Sequence, residues 1–301
     1  IGNYIALRLE KNNIDSIIIE KSESSSPPQN GIRTVTLNEN SIQLLKDVGI
    51  TPKFSKVELI NVFDGEGSGK IKFAATDINA ETLSYVIYFD ELHAQTLNLC
   101  RKRTYFKNQI NTIQNFNSES DSEVILQDDT LIKTSVIAGC DGRNSNVAKI
   151  SSLSSQSEDY FQTAITFIVE TDGSQKTTAH QVFSDRGIFA LMPAPDFKGK
   201  ANSFSVVWSV SNSDLEGKEI SEYVSNNITF FESKLCMQLR PISDILNFRL
   251  TNHHFENYIN GSVVLIGDAA HSIHPLAGQG INLGFADADV FCEEIINAYK
   301  K

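Results

Sequence analysis

Apolar positions along this chain fall into two patterns. The first consists of short runs that stop at a glycine or an acid. These are Ser16–Glu20, with isoleucine at 17, 18 and 19; Leu131–Ala138, running into Gly139 and Asp141; and Val263–Ile266, bounded by Gly261 and Gly267. Such runs predict short strands buried on both faces. Helical spacing accompanies them from about Tyr4 to Lys11 and from Asp90 to Lys102. The second pattern is rich in β-formers, at Lys56–Phe63, Lys70–Phe73, Thr163–Glu170 and Ser203–Val210, with a helical stretch near Ile220 to Phe231. The patterns interleave and predict two domains, one from residues 1–53, 85–150 and 257–301, the other from 54–84 and 151–256. Ser22–Pro28 and Ser151–Ser157 read as exposed serine-rich loops. The second marks the crossover between domains.

The strand ends carry the chemistry. Gly278 and Gly280 follow the Val263–Ile266 strand and open a helix, so backbone N–H groups and a positive dipole end face whatever binds there. An anionic or electron-rich ligand is expected. Asp268 and Asp141 each sit just past a strand, where ligands bind in open α/β sheets. Gly2 precedes the first helix and Glu20 ends the next strand, which matches the back half of a dinucleotide-binding βαβ unit. There the last glycine permits close helix–strand packing and the acid holds a ribose hydroxyl. The expected fold class is α/β (α+β), a Rossmann-like domain interleaved with a mostly β domain. The earlier strand and glycines of the unit would precede residue 1, so the chain is expected to be truncated at its start.

Charge and cysteine usage narrow the partners. With 301 residues and 41% hydrophobic content the chain can bury a large core. A net charge of −11 argues against nucleic acid, which needs clustered Lys and Arg. No apolar run reaches the roughly 18 residues of a membrane span, and no signal peptide opens the chain. Cys100, Cys140, Cys236 and Cys292 are scattered and predict reduced thiols with no metal or redox role. Asp268, His271 and His274 could spell a metal triad, but Pro275 and the following glycines break the helix such a triad would need. No metal is expected. His253 and His254 are adjacent on a strand and point to opposite faces, so neither is a candidate base.

At this level the chain resembles the flavin-dependent aromatic hydroxylases related to para-hydroxybenzoate hydroxylase, and within them the ubiquinone-biosynthesis branch that holds the 2-octaprenyl-6-methoxyphenol hydroxylase group. The resemblance spans nearly the whole chain. It rests most on Gly267–Gly284, then on Asp141-Gly142, Gly31–Ser41, Leu191-Met-Pro193 and Val206-Val-Trp208. It implies FAD as cofactor, with Gly2, Glu20, Arg33, Asp141, Gly142, Gly267, Asp268, Pro275, Gly278, Gly280 and Asn282 binding it. In that assignment Glu20 holds the adenosine ribose, Arg33 touches the flavin, and Asp268 holds the ribityl or pyrophosphate region. The backbone of Pro275, Ala277, Gly278, Gln279 and Gly280 would run along the isoalloxazine ring and stabilise charge on the reduced flavin. Two positions depart from the branch: Tyr88-Phe89 stands where Glu-Asn is usual, and Gly187-Ile188 where Gly-Pro is usual.

The reaction implied is aromatic hydroxylation. NAD(P)H reduces the flavin, dioxygen adds at its C4a carbon, and the hydroperoxide passes a hydroxyl to a phenol, here a polyprenylated ring on the route to ubiquinone. No acid or base residue is assigned. Phe189, Leu191, Met192 and Trp208 are expected pocket walls, and a helical segment past Lys301 would complete a channel for the prenyl tail. Alternatives are a flavin-dependent oxidase or reductase of another prenylated substrate, and a catalytically silent flavin-binding fragment. The expected location is cytoplasmic and peripheral to the inner membrane, or the mitochondrial matrix side in a eukaryote, with association to a biosynthetic complex.

Overall fold

A computed structural model describes residues 1–301 except 22–30, 101–104, 119, 174 and 274–277. Seven helices are described: α1 (Gly2–Lys11), α2 (Glu39–Asp47), α3 (Phe89–Cys100), α4 (Asn146–Ile150), α5 (Asn212–Leu215), α6 (Ile220–Leu235) and α7 (Gln279–Tyr299). Local chemistry starts and orients them. Asn38 caps α2 by accepting the Ser41 N–H at 2.8 Å. In α7 the buried residues Gly284, Ala288, Cys292 and Ile296 recur every four positions, a stripe that lays the helix against α1. There Phe285 meets Tyr4 edge-on, with ring centroids 5.5 Å apart.

The glycine-ended strands pair as a parallel-sheet fold requires. Ile137–Gly139 runs parallel to Val263–Leu265, Gly139 beside Leu265, so both carboxyl ends open to the same side. Ile18–Glu20 runs parallel to Tyr105–Lys107. A second sheet, of nine strands, supplies the other half. Its path runs His271–Ser272, Leu246–Phe255, Ser155–Thr171, Ser203–Ser211, Gly187–Pro193, Thr178–Ser184, Leu59–Asp64 and Lys70–Ala74, with Leu239–Pro241 paired to Ser155–Thr171. One face of it packs on α6, where Phe231 stacks on Phe189 at 4.1 Å and crosses Trp208 at 5.0 Å.

Two expected strands are each broken. Lys56–Phe63 divides at Glu58: Ser55–Val57 pairs with Ser84–Val86 in a small sheet, and Leu59–Asp64 joins the large one. Leu131–Ala138 divides likewise, Leu131–Thr134 pairing with Ser122–Ile125 and Ile137–Gly139 with Val263–Leu265. The apolar pattern is continuous across both breaks, while the chain turns to serve two sheets. The crossover loop is also shorter than expected, because Ser155–Ser157 already belongs to the long strand. His253 is buried and His254 exposed, as strand alternation requires.

Candidate functional site

A cavity of about 530 Å3 lies between the two halves, a size typical of small-molecule sites. Its floor is formed by Ile1, Asn3, Arg33, Cys140, Gly142, Arg143, Asp268, Gly278, Gly280 and Gly284. Its roof is the face of the large sheet turned away from α6, where strand alternation selects Ile188, Ala190 and Met192 from one strand and Val207 and Ser209 from the next. Phe189, Leu191 and Trp208 have the opposite parity. They are fully buried against α6, and the Trp208 indole N–H donates to the Arg186 carbonyl at 2.8 Å. Of the four expected wall residues, Met192 alone lines the cavity; the other three are core.

The start of α7 suits the cavity to electron-rich groups. Gly278, at φ 64°, is its N-cap; no side chain caps the helix and no acid lies in its first turn. The first amide N–H groups therefore lack an intrahelical acceptor and sit at the cavity. A Cβ on Gly278 would stand 2.7 Å from the Thr36 Cβ, so only glycine lets α7 approach that strand. A Cβ on Gly280 would meet nothing within 4 Å; this position opens onto ligand space. Gly267, at φ 62°, and Gly284 are packed backbone to backbone, a Cβ on either standing 3.4 Å from the other's Cα, and Ile1 closes over both.

Other sequence-picked residues take distinct places. A Cβ on Gly2 would touch Cys140 at 3.4 Å, which fits close packing of α1 on the strand end. Arg33 lies at the cavity with its guanidinium 4.7 Å from the Phe89 ring centre. Phe89 thus has a use the sequence did not suggest, and Tyr88 beside it donates to the Pro195 carbonyl at 3.0 Å. Asp268 is exposed at the cavity in the turn Gly267–Ala269. Asp141 does not line the cavity: its carboxylate accepts from Ser145 Oγ at 2.5 Å, Asn146 N–H at 2.6 Å and Val147 N–H at 3.1 Å, and so starts α4. Glu20 ends its strand away from the cavity, and Gln279 is exposed at the first position of α7. Pro275 and Ala277, together with His274, lie outside the described residues.

Asn282 holds the site together from within. Its Oδ1 accepts the Asn38 N–H at 2.9 Å and the Ser41 hydroxyl at 2.8 Å, and its amide donates to the Thr36 and Gly278 carbonyls, both at 2.9 Å. All four hydrogen-bonding positions of the side chain are used. It clamps α7 to the strand and turn before α2 and has no group left over for a ligand.

Three further residues escaped sequence reasoning. Asp287 of α7 accepts both the Gly267 N–H at 3.0 Å and a His271 ring nitrogen at 2.8 Å. That hydrogen bond raises the His271 pKa above its usual range. A carboxylate beside the buried stripe of α7 was the available signal. Asp90, buried, accepts the Gly31 N–H at 2.9 Å and so braces the turn that leads to Arg33; burial raises its pKa. Thr34 donates to Ser205 Oγ at 2.7 Å and ties floor to roof. Desolvation pushes the Cys140 thiol up to about 12. Among the described residues, no group of three His, Cys, Asp or Glu could hold a metal ion, and no helix is long and apolar enough to cross a membrane.

The residues present fit FAD. An uncapped helix end, a side-chain-free opening at Gly280, a guanidinium on an aromatic ring and an exposed carboxylate at Asp268 surround one cavity. Comparison with known proteins agrees. The family model described as FAD binding domain matches residues 1–301. The 3-demethoxyubiquinol 3-hydroxylase of Escherichia coli (strain K12) is 25% identical over 312 residues, covering 99% of this chain and 78% of that protein. The ubiquinone hydroxylase UbiL of Rhodospirillum rubrum is 31% identical over 182 residues, 58% of this chain and 40% of that protein. Klebsiella pneumoniae HpxO, solved with FAD and uric acid, superposes with a TM-score of 0.77 at 14% identity, over 97% of this chain and 76% of that one, and so shares the fold. The chain belongs to the FAD binding domain family, a family of flavoprotein monooxygenases, and FAD is its cofactor.

Proposed function

We propose that this protein hydroxylates the ring of a polyprenylated phenol in ubiquinone biosynthesis, using NAD(P)H as electron donor and dioxygen as oxygen source. The observation that carries the reading is a cavity that puts the bare start of α7 and the Arg33–Phe89 pair opposite a largely apolar sheet face. When bound, FAD supplies the redox chemistry, taking two electrons from the nicotinamide and delivering one oxygen atom of dioxygen to the ring while the other leaves as water.

The chain's own residues bind, orient and exclude water. Glu20 holds the adenosine ribose, Asp268 the ribityl or pyrophosphate region, and the backbone of Gly278, Gln279 and Gly280 follows the flavin ring. The first-turn amides of α7 stabilise negative charge on that ring. Asp141 and Gly142 shape the adjoining turn, Asp141 by starting α4. Ile188, Ala190, Met192 and Val207 present apolar surface to the substrate ring and keep water from the reacting atoms. The names of the Escherichia coli and Rhodospirillum relatives support ubiquinone precursors as the substrate class. Such a substrate lives in a bilayer, which places the protein at the membrane surface as a peripheral partner.

Incubating purified FAD-loaded protein with NAD(P)H, a prenylated phenol and isotopically labelled dioxygen tests the reading. One labelled oxygen atom is expected in the phenolic product. A product formed without label would make the protein an oxidase or reductase. Retained FAD with no NAD(P)H consumed by any phenol would make it a flavin binder without this activity.

A further inference from the structure

The roof of the cavity does not end at the cavity. Gln181 pairs with Ala190, and both line the cavity; Gln181 also pairs with Val62, and Val62 with Ile71 on the outermost strand. In the next row Ile60, another lining residue, pairs with Phe73. Residues directly opposite on neighbouring strands share a face, so Ile71 and Phe73 stand on the same face as the roof. Phe183 joins them as the partner of Ile188. These three apolar side chains are 59%, 51% and 43% exposed respectively.

The outermost strand sorts its residues by face. Lys70 and Lys72 alternate with Ile71 and Phe73, and the Lys70 ammonium lies 4.8 Å from the Phe63 ring centre on the α6 side. Charge on an edge strand protects it from pairing with other chains, and here that protection is confined to the face away from the cavity. The cavity face is left apolar and open to solvent. Three inter-strand steps of about 4.8 Å carry this surface roughly 14 Å from Ala190 to Ile71.

We propose that this strip, running from Ile188 and Ile60 in the cavity out to Phe183, Ile71 and Phe73, is the track on which the substrate's long apolar tail lies while its ring is held at the flavin. The proposal rests on the reading of the substrate as a prenylated phenol. Continuity with the cavity selects the occupant: an apolar chain attached to a ring in the cavity must leave along some wall, and here the row Ala179, Ile60 and Phe73 is apolar out to the edge of the sheet, with Gln181 the polar residue in the row beside it.

The test compares 2-farnesylphenol with tail-free 2-methylphenol, each titrated calorimetrically into the FAD-loaded protein. The native protein is expected to bind the farnesyl compound about tenfold more tightly or better, from burial of the tail on apolar surface. The double variant Ile71→Ser/Phe73→Ser should lose about tenfold in affinity for the farnesyl compound and keep that for 2-methylphenol. Phe183→Ser should show the same selective loss, whereas Lys72→Ser on the opposite face should change neither affinity. An intact farnesyl preference in both track variants would overturn the track and leave the prenylated-phenol reading standing. Equal binding of the two compounds by the native protein, or binding of neither, would overturn both. Loss of self-association or vesicle binding in the variants with the farnesyl preference unchanged would make the strip a docking surface and refute the proposal.

Discussion

Replacing Gly280 by alanine should make the cofactor-free protein no less stable while weakening its hold on FAD. A Cβ at this position meets no protein atom within 4 Å, so the fold gains a helix-favouring residue without a clash. Glycine in a helix is disfavoured relative to alanine by up to about 1 kcal/mol, which for a chain of this size raises the melting temperature by no more than about 4 °C. The same methyl group stands in the space assigned to the flavin ring. Overpacking of a fitted site costs about 1–3 kcal/mol, equivalent to roughly a five- to 150-fold weaker FAD affinity. The contrast is Gly278→Ala: its Cβ would stand 2.7 Å from Thr36 and its φ is 64°, so it should lower the melting temperature of the cofactor-free protein as well. Thermal melts without FAD and flavin fluorescence titrations of both variants read the two effects separately. Unchanged FAD affinity in Gly280→Ala would refute the placement of the flavin along the start of α7.

Asp268→Ala removes an exposed carboxylate at the cavity; the melt without FAD should stay within a degree or so, and FAD should bind roughly ten- to 150-fold more weakly, the range expected for losing hydrogen bonds to a charged group. Phe231→Ala empties a fully buried ring stacked on Phe189 and should cost about 3–5 kcal/mol in urea unfolding, with FAD affinity of the folded fraction unchanged. Asp287→Asn should flatten a pH dependence. Asp287 raises the His271 pKa, so the pair's contribution is complete below the ordinary histidine pKa and fades as pH rises through the higher folded value. Urea midpoints measured from pH 5 to pH 9 should fall with rising pH in the native protein more steeply than in the variant.

How far the sequence could be read depended on how local the physics was. The strand, acid and glycine turn around Gly267 is specified within a few residues, and the structure forms it there, as it does α1, α3 and α6 within a few residues of their expected ends. The expected pocket walls mixed residues of opposite parity, Met192 with Phe189, Leu191 and Trp208, and the apolar pattern could not say which set faced the cavity, because both faces of the sheet are covered, one by α6 and one by the cavity floor. The breaks at Glu58 and between Thr134 and Ile137 were illegible for a related reason: the apolar pattern satisfies two different sheets in succession. Asp141 read as a ligand-facing acid, although Ser145 ahead of Val147 and Ala148 already marked a helix start that needed capping. Asn282 was picked as a cofactor contact, but the partners it clamps, Thr36, Asn38 and Ser41, lie 241 to 246 positions away, which no local rule reaches.

The clamp at Asn282 also sets the order of assembly. Its hydrogen bonds to Thr36, Asn38 and Ser41 join residues 241 to 246 positions apart, and Tyr4 meets Asp289 across 285 positions. Most strands of the large sheet, by contrast, pair within the single span from Ser155 to Phe255. The sheet and α6 can therefore close on each other through contacts of shorter range than those that seat α7. The cavity floor is completed only when α7 meets α1 and the strand and turn before α2. Closure of the cavity floor is thus a longer-range event than folding of most of its roof.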